Sequence, residues 1–168
     1  ILNNTGLSAP QRSEQFETIL LGMTDTQRIA TFTLGPYAQK ASPADQAAFA
    51  GAFQNYSVAV YRSYFSRFSG QTLAVTGSSQ RAPGDFIVST QLTDPNRSGQ
   101  APLKVDFRVR TDAGKPVVTD LSVVGIWLVL SQRDQFVSYL NANSGSVPSL
   151  TAHVVQATAL LGSAPTGH

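Results

Sequence analysis

Few side chains in this sequence are placed to act as acid–base catalysts. The two histidines are His153, within a helical segment, and His168, the last residue. General acid–base catalysis requires a histidine or a carboxylate aimed at the substrate inside a pocket. A lone histidine on a helix is more often a surface residue. An isomerase-like or dehydratase-like enzyme is therefore the least favoured of three function classes, and we assign no catalytic residue.

Other reactive groups are also missing from the sequence. Cysteine is absent, which excludes disulfides, thiol catalysis and cysteine-ligated zinc, and which fits an oxidising compartment. No nucleophile elbow, metal triad or phosphate-binding loop occurs, so we expect neither a metal nor a cofactor. The 12 lysines and arginines are scattered, and the formal net charge is +2. Nucleic acid is an unfavourable partner, because phosphate binding requires a concentrated basic stripe.

The first half of the chain predicts three helices. Ser8 and Pro10 mark the start of an amphipathic helix that ends near Met23, and a short second helix ends at Gly35-Pro36. The third helix, residues 42–70, is the longest and carries an aromatic stripe at helical spacing. The stripe consists of Phe49, Phe53, Tyr56, Val60, Tyr64 and Phe68. A chain of 168 residues has the size of one domain, so we expect a single domain over residues 1–168.

The periodicity then changes from helical spacing to strict alternation. Apolar Leu103, Val105, Phe107 and Val109 alternate with polar Lys104, Asp106, Arg108 and Arg110. This pattern predicts a strand with one face towards the helices and one face exposed to solvent. Residues 72–79, 85–93 and 116–124 have the same pattern less cleanly. Turn-forming segments separate the four strands, so an antiparallel meander is the simplest topology.

An apolar run follows, from Leu121 to Leu130. It is too short to span a bilayer, which needs about 20 apolar residues. Gly125 divides the run into the end of the fourth strand and the start of another helix, and a last helix is predicted over residues 147–161. The predicted fold class is α+β, with a curved antiparallel sheet of about four strands and helices packed on one face, enclosing an apolar pocket.

Two segments carry a resemblance to a known family. In residues 28–61, Leu34-Gly35-Pro36-Tyr37 form a corner that leads into the long helix; in residues 119–140, a strand ending at Gly125 precedes a helix with Arg133 and Phe136. In this order and spacing the sequence resembles the MlaC, or toluene-tolerance, family of periplasmic phospholipid-binding proteins.

The sequence departs from the family pattern at two places. Lys115-Pro116 stand where a tryptophan is expected, and Ile126-Trp127 stand where the family usually has Val-Ser. The Gly-Ile-Trp version looks more like the hopanoid-associated branch, HpnM.

The resemblance implies a soluble periplasmic carrier that holds a membrane lipid, a phospholipid or a hopanoid, by its apolar part. The implied partners are this lipid, an inner-membrane lipid transporter and an outer-membrane lipid complex, and no enzymatic activity is implied. We expect a monomer. The sequence begins at Ile1 without a signal peptide, which fits either a processed form or a recombinant fragment.

The residues predicted to line the lipid site come from the long helix, the strands and the segment after Gly125. They are Phe53, Tyr56, Val60, Tyr64, Val88, Val105, Phe107, Val123, Trp127 and Phe136. Each of them could instead belong to the ordinary core, and Trp127 could simply cap the end of that core.

The principal alternative is a protein-binding module whose apolar surplus docks a partner and carries no lipid. A cavity of about 1,000 Å³ or more favours a lipid, whereas a filled interior favours the module.

Arg133 falls on an apolar helical stripe, and a buried arginine needs a partner. Asp120 is the predicted partner in a structural ion pair; an anionic lipid headgroup is the alternative.

Lipid exchange would require one wall of the site to open, because about 28 methylenes of two acyl chains favour the protein over water by roughly 22 kcal/mol. The helix after Gly125 is the predicted gate.

Overall fold

The computed structural model describes residues 6–65, 70–97, 99–112 and 114–163, without the side chains of Ala9, Tyr64, Phe65 and Ser163. The chain forms two compact units. The first, Ile1–Asp25 with Phe68–Val129, contains one helix and the sheet, and we call it the sheet unit. The second, Thr26–Arg67 with Leu130–His168, is helical, and we call it the helical unit. Within the described ranges, none of the helices combines the length and the apolar composition that a membrane-spanning segment needs.

Helix α1, Ala9–Met23, begins the sheet unit at the predicted position. Ser8 is its N-cap: the Gln11 amide donates to Ser8 Oγ at 3.4 Å, and the Ser8 amide donates to Gln11 Oε1 at 2.9 Å. This reciprocal pair satisfies two backbone donors at a helix start that has no intrahelical acceptors for them. After α1, Thr24 forms a parallel bridge to Val118, which ties the end of the helix to the sheet.

The sheet has five strands in the order of the sequence. They are β1 Thr72–Ala82, β2 Asp85–Thr93, β3 Leu103–Arg110, β4 Val117–Val123 and β5 Ile126–Trp127. Each strand pairs antiparallel with the next. The α+β class and the antiparallel meander are therefore confirmed, with one strand more than predicted.

The additional strand changes the interpretation of Gly125. Val124 and Gly125 form a two-residue turn, after which Ile126 pairs with Val123 and Trp127 pairs with Ser122. The φ angles of Val124 and Gly125 are 51° and 85°, and positive φ at both positions is typical of a type I′ hairpin turn. Helix α4, Leu128–Ala142, begins after this hairpin and not directly at Gly125 as predicted.

The helical unit consists of α2 Thr26–Thr33, a 3-10 turn Gly35–Tyr37, α3 Pro43–Phe65, the greater part of α4, and α5 Val147–Ser163. Helix α3 packs against α2 and α5. Ser42, the first residue of the predicted third helix, is the N-cap of α3, because the Asp45 amide donates to Ser42 Oγ at 3.1 Å. Residues 66–69 of the predicted long helix, with Phe68 of its aromatic stripe, lie outside the described residues.

An aromatic cluster forms the centre of the helical unit. The ring of Phe136 meets the rings of Phe49 and Phe53 nearly edge-on, with centroid distances of 5.7 and 6.3 Å. All three side chains are buried, as are Leu140 and Leu150. Edge-to-face contacts of this kind add to the stabilisation from burial, so the cluster fixes how α3 packs on α4.

Candidate functional site

One face of the sheet is mostly apolar. Successive residues of a strand point to opposite faces, so the cross-strand register assigns each residue to one of them. Val88 pairs with Phe107, and Val105 pairs with Val123, on the same face. The rows of this apolar face are Leu73, Leu92 and Leu103; Val75, Thr90, Val105, Val123 and Ile126; Ser78, Val88, Phe107 and Leu121; and Gln80, Phe86, Val109 and Val118.

The apolar face is buried at its centre and open at its margins. Val105 is 7% exposed, whereas Val75 and Ile126, at the two ends of the same row, are 71% and 63% exposed. Leu73 and Leu103 in the neighbouring row are also exposed. Contiguous exposed apolar surface often marks a binding site in a water-soluble protein. The apolar face is therefore the candidate functional site of the sheet unit.

The structure brings four predicted lipid-lining residues together on this face: Val88, Val105, Phe107 and Val123. The register separates Trp127 from them, because it pairs with Ser122 on the opposite face, whereas Ile126 continues the row of Val105 and Val123.

Sequence reasoning omitted Ile126 and the exposed leucines and valine of the face. The alternation of apolar residues in segments 72–79 and 85–93 was the available signal for Leu73, Val75 and Leu92. No such signal existed for Ile126, since its strand has only two residues.

The remaining predicted lining residues belong to the helical unit. Phe53 and Phe136 pack against each other in its aromatic cluster, so this cluster explains their apolar character. Tyr56 and Val60, further along α3, are half-buried. The side chain of Tyr64 lies outside the described part of the chain.

The opposite face of the sheet is polar but not uniformly exposed. Lys104 is exposed as predicted, whereas Asp106 is only 7% exposed and Ser122, its cross-strand partner, 1%. The prediction that Asp106 faces solvent is therefore wrong, and so is the prediction that Leu103 is covered. The alternation of apolar and polar residues shows which side chains share a face of a strand. It does not show which parts of that face are covered by other segments of the chain. Lys104 Nζ lies 3.2 Å from Asp106 Oδ2 and compensates part of the cost of burying this carboxylate.

A network of charges lies at the other end of the polar face. Arg108 Nε and Nη2 donate to the two oxygens of Asp85 at 3.0 and 2.8 Å. Arg110 Nη1 lies 3.5 Å from the same carboxylate, and its Nη2 donates to Asp112 at 2.7 Å. The hydrogen bonds from Arg108, aided by the positive charges of Arg108 and Arg110, hold the pKa of Asp85 below its ordinary value despite burial. The network is explained by structural pairing and needs no ligand.

The predicted ion pair would join Asp120 of the sheet unit to Arg133 of the helical unit and stays a prediction. Each residue makes other contacts within its own unit. Asp120 Oδ1 accepts hydrogen bonds from the amides of Leu121 and Val129, at 2.8 and 2.9 Å. Val129 is in the first turn of α4, so the carboxylate satisfies a free amide there and complements the helix dipole. In the helical unit, the Arg133 guanidinium carbon lies 5.1 Å from the centre of the Phe32 ring, a cation–π contact.

Groups able to catalyse a reaction or hold a metal are sparse in the described residues. His153 is exposed, and its ring stacks on Tyr139 with the centroids 4.6 Å apart. His168 lies outside the described residues. Within the described ranges, no three histidine, aspartate or glutamate side chains come close enough to hold a metal ion.

An open groove of about 470 Å³ lies between α3 and α5 in the helical unit. It is lined mainly by small apolar side chains and by three polar ones: Ala48, Pro148, Ala152, Val155 and Ala159, with Asp45, Thr151 and Gln156. None of these is a predicted lipid-lining residue, and the groove is smaller than the volume we set for a lipid cavity. It is therefore a separate feature of the helical surface.

Comparison with known proteins identifies the family. A sequence model described as MlaC protein matches residues 1–156. The chain belongs to the MlaC family. Its fold is similar to that of a phospholipid-binding protein from Ralstonia solanacearum, whose structure was solved in complex with a phospholipid. The TM-score is 0.76 at 22% sequence identity, and the match covers 90% of this chain and 83% of the other. The resemblance to MlaC proteins expected from the sequence is thus confirmed.

Proposed function

We propose that this MlaC-family protein is a periplasmic lipid carrier, and that the apolar face of its sheet holds the hydrocarbon part of a membrane lipid. The observation that carries the proposal is the open margin of that face, where Leu73, Val75, Leu103 and Ile126 remain exposed. A folded core alone gives no reason for four exposed apolar side chains on one face of a sheet. A bound lipid would remove them from water at about 25 cal/mol per Å².

Two findings support a lipid as the ligand. The chain belongs to the MlaC family, and a protein of similar fold from Ralstonia solanacearum is described as phospholipid-binding and contains a phospholipid. Phospholipid is therefore the first candidate. A hopanoid is the second, because Gly125-Ile126-Trp127 stand where the family usually has Gly-Val-Ser.

Apolar contacts recognise bulk and length but not a headgroup. We infer that the protein accepts several headgroups and that the size of the hydrocarbon part limits binding. Tyr56 and Val60 of the helical unit are half-buried, and their assignment as lipid contacts stays a prediction from the sequence.

The proposed carrier works without chemical conversion of the lipid. The apolar face carries only aliphatic, aromatic, hydroxyl and amide side chains, so it offers no group suited to acid–base catalysis at neutral pH. Because transfer of two acyl chains into water costs roughly 22 kcal/mol, a carrier must exchange its lipid in contact with a donor or an acceptor. The proposed partners are an inner-membrane lipid transporter and an outer-membrane lipid complex. We propose that the carrier binds each of them as a monomer.

The test compares two neighbouring residues on opposite faces of β2. Leu92→Glu places a carboxylate on the apolar face, and Gln91→Glu places the same group on the other face, beside Lys104. The protein and both variants are purified, and their organic extracts are examined by mass spectrometry. We expect similar lipid contents in the unsubstituted protein and in Gln91→Glu, and at least about tenfold less lipid in Leu92→Glu because the carboxylate is poorly solvated by hydrocarbon.

Absence of lipid from the unsubstituted protein, together with failure to bind spin-labelled lipid after delipidation and refolding, would contradict the carrier proposal. A protein-binding module would then be the better interpretation. Equal lipid content in the two variants would contradict the assignment of the lipid to this face.

A further inference from the structure

The hairpin between β4 and β5 presents apolar side chains at an exposed turn. Val124, the first residue of the turn, is 64% exposed, and Ile126 immediately after the turn is also exposed. Leu128, the first residue of α4, and Leu103 of β3 are exposed as well. The Val124 amide donates to the Lys104 carbonyl at 3.0 Å, which holds the turn beside the start of β3. We call Val124, Ile126, Leu128 and Leu103 the hairpin tip.

The backbone makes valine an unfavourable residue at this position. Val124 has a φ of 51°, a region in which β-branched residues are rare and in which asparagine, aspartate and glycine are preferred. Asparagine would adopt this backbone conformation more easily, and its polar side chain would be better solvated at an exposed position. A strained and exposed valine therefore suggests that its apolar side chain serves an interaction.

The environment of the tip indicates what it contacts. Ile126 continues the row of Val123 and Val105, so the proposed lipid-binding face leads directly to the tip. Lys104, with 66% of its side chain exposed, lies next to it. Apolar side chains flanked by a lysine suit the boundary between acyl chains and anionic headgroups. The four residues of the tip are also far fewer than the roughly 20 to 30 that each partner contributes to a stable protein–protein interface.

We propose that the hairpin tip inserts into the surface of a lipid bilayer, and that this contact places the apolar face where it can take up or release its lipid. This inference rests on the proposed carrier function, because it gives the tip a role in lipid exchange. The tip lies entirely within the sheet unit.

The test uses the full chain and vesicles of phosphatidylethanolamine with phosphatidylglycerol. The variant is Val124→Asn with Leu128→Gln, which removes two exposed apolar side chains of the tip that lie outside the proposed lipid-binding face. The control is Val155→Gln with Leu160→Gln, which removes two exposed apolar side chains of α5. We expect co-sedimentation with vesicles to fall about tenfold or more in the tip variant, because it withdraws several apolar groups from the bilayer. The control variant should bind as the unsubstituted protein does.

Mass spectrometry of the same preparations separates this inference from the carrier proposal. If all three proteins contain lipid and only the tip variant loses vesicle binding, the inference is supported. If all contain lipid but none binds vesicles, or the tip variant binds normally, the tip does not insert and the carrier proposal is unaffected. If none contains lipid, the carrier proposal fails and this inference with it. Val124→Asn alone, which relieves the turn, provides a variant that folds if the double variant does not.

Discussion

The carboxylate of Asp85 and the guanidinium of Arg108 form a two-pronged ion pair across β2 and β3, with hydrogen bonds of 3.0 and 2.8 Å. The Asp85 side chain is 5% exposed and that of Arg108 is 36% exposed. The pair therefore lies at the margin of the buried part of the polar face. Asp85 is shielded from water there, whereas Arg108 is partly hydrated. The pair links β2 to β3 independently of the apolar face.

We predict that this pair makes the stability of the protein depend on acidic pH. Its hydrogen bonds lower the pKa of Asp85 in the folded protein, so its contribution is complete above the unfolded pKa, about 3.9, and disappears as pH falls through the lower folded value. Asp85→Asn should cost about 2 kcal/mol at pH 7, less than a fully buried pair because Arg108 is partly hydrated. Melting temperatures between pH 7 and pH 2 measure the effect.

The difference in melting temperature between the unsubstituted protein and Asp85→Asn should narrow as the pH falls below about 4. Asp112→Asn, which removes the more exposed partner of Arg110, is the control and should change the melting temperature little at any pH. A difference for Asp85→Asn that is the same at pH 7 and pH 2 would contradict the role given to its ionised form.

Two glycines of the helical unit should respond to alanine with opposite signs. Gly35 has a φ of 55°, and a Cβ there would lie 2.7 Å from Cγ2 of Val137. Gly51 lies within α3, and a Cβ there would meet no atom within 4 Å apart from its chain neighbours and the backbone of its own helix. Gly35→Ala should therefore destabilise the protein by about 2 kcal/mol or more. Gly51→Ala should stabilise it by roughly 0.5 to 1 kcal/mol, because alanine favours the helix. Urea unfolding measures both, and a destabilising Gly51→Ala would show that α3 is packed more closely there than the structure indicates.

Arg133→Ala should destabilise the protein without removing its lipid. The guanidinium lies over the Phe32 ring, and loss of a cation–π contact of this kind costs about 1 kcal/mol. This is less than the roughly 3 to 5 kcal/mol expected when a buried ion pair is broken. Thermal unfolding and mass spectrometry of the extracted lipid are measured together. An unchanged melting temperature with lost lipid would instead assign Arg133 to the lipid headgroup.

The aromatic cluster should show a measurable interaction between Phe53 and Phe136. Their rings meet at 82° with centroids 6.3 Å apart, and such pairs contribute about 0.5 to 1.5 kcal/mol beyond burial. Phe53→Leu and Phe136→Leu should each destabilise the protein, and the double variant should lose less than the sum of both. A double-mutant cycle of unfolding free energies measures the coupling between the two rings. Strictly additive losses would mean that the two rings act independently.

The sequence by itself determined the class of elements and most of their positions. Helical spacing from Phe49 to Val60 and alternation from Leu103 to Arg110 predicted α3 and β3, because each period allows only one kind of element to bury its apolar residues together. The helix starts at Ser8 and Ser42 could also be predicted from the sequence, because the hydrogen bonds of these caps join residues only three positions apart. The family resemblance followed from the order of these elements.

The tertiary structure decided which surfaces are covered and which are open. Asp106 and Ser122 are buried although their strands predicted a wet face, and Val75 and Ile126 are exposed although theirs is apolar. The strand β5 separates Trp127 from Val123 by placing them on opposite faces. These outcomes depend on register, on a two-residue turn at Val124-Gly125 and on residues far apart in the chain. Local periodicity contains none of this information, because burial is set by whatever packs on a face and not by the face itself.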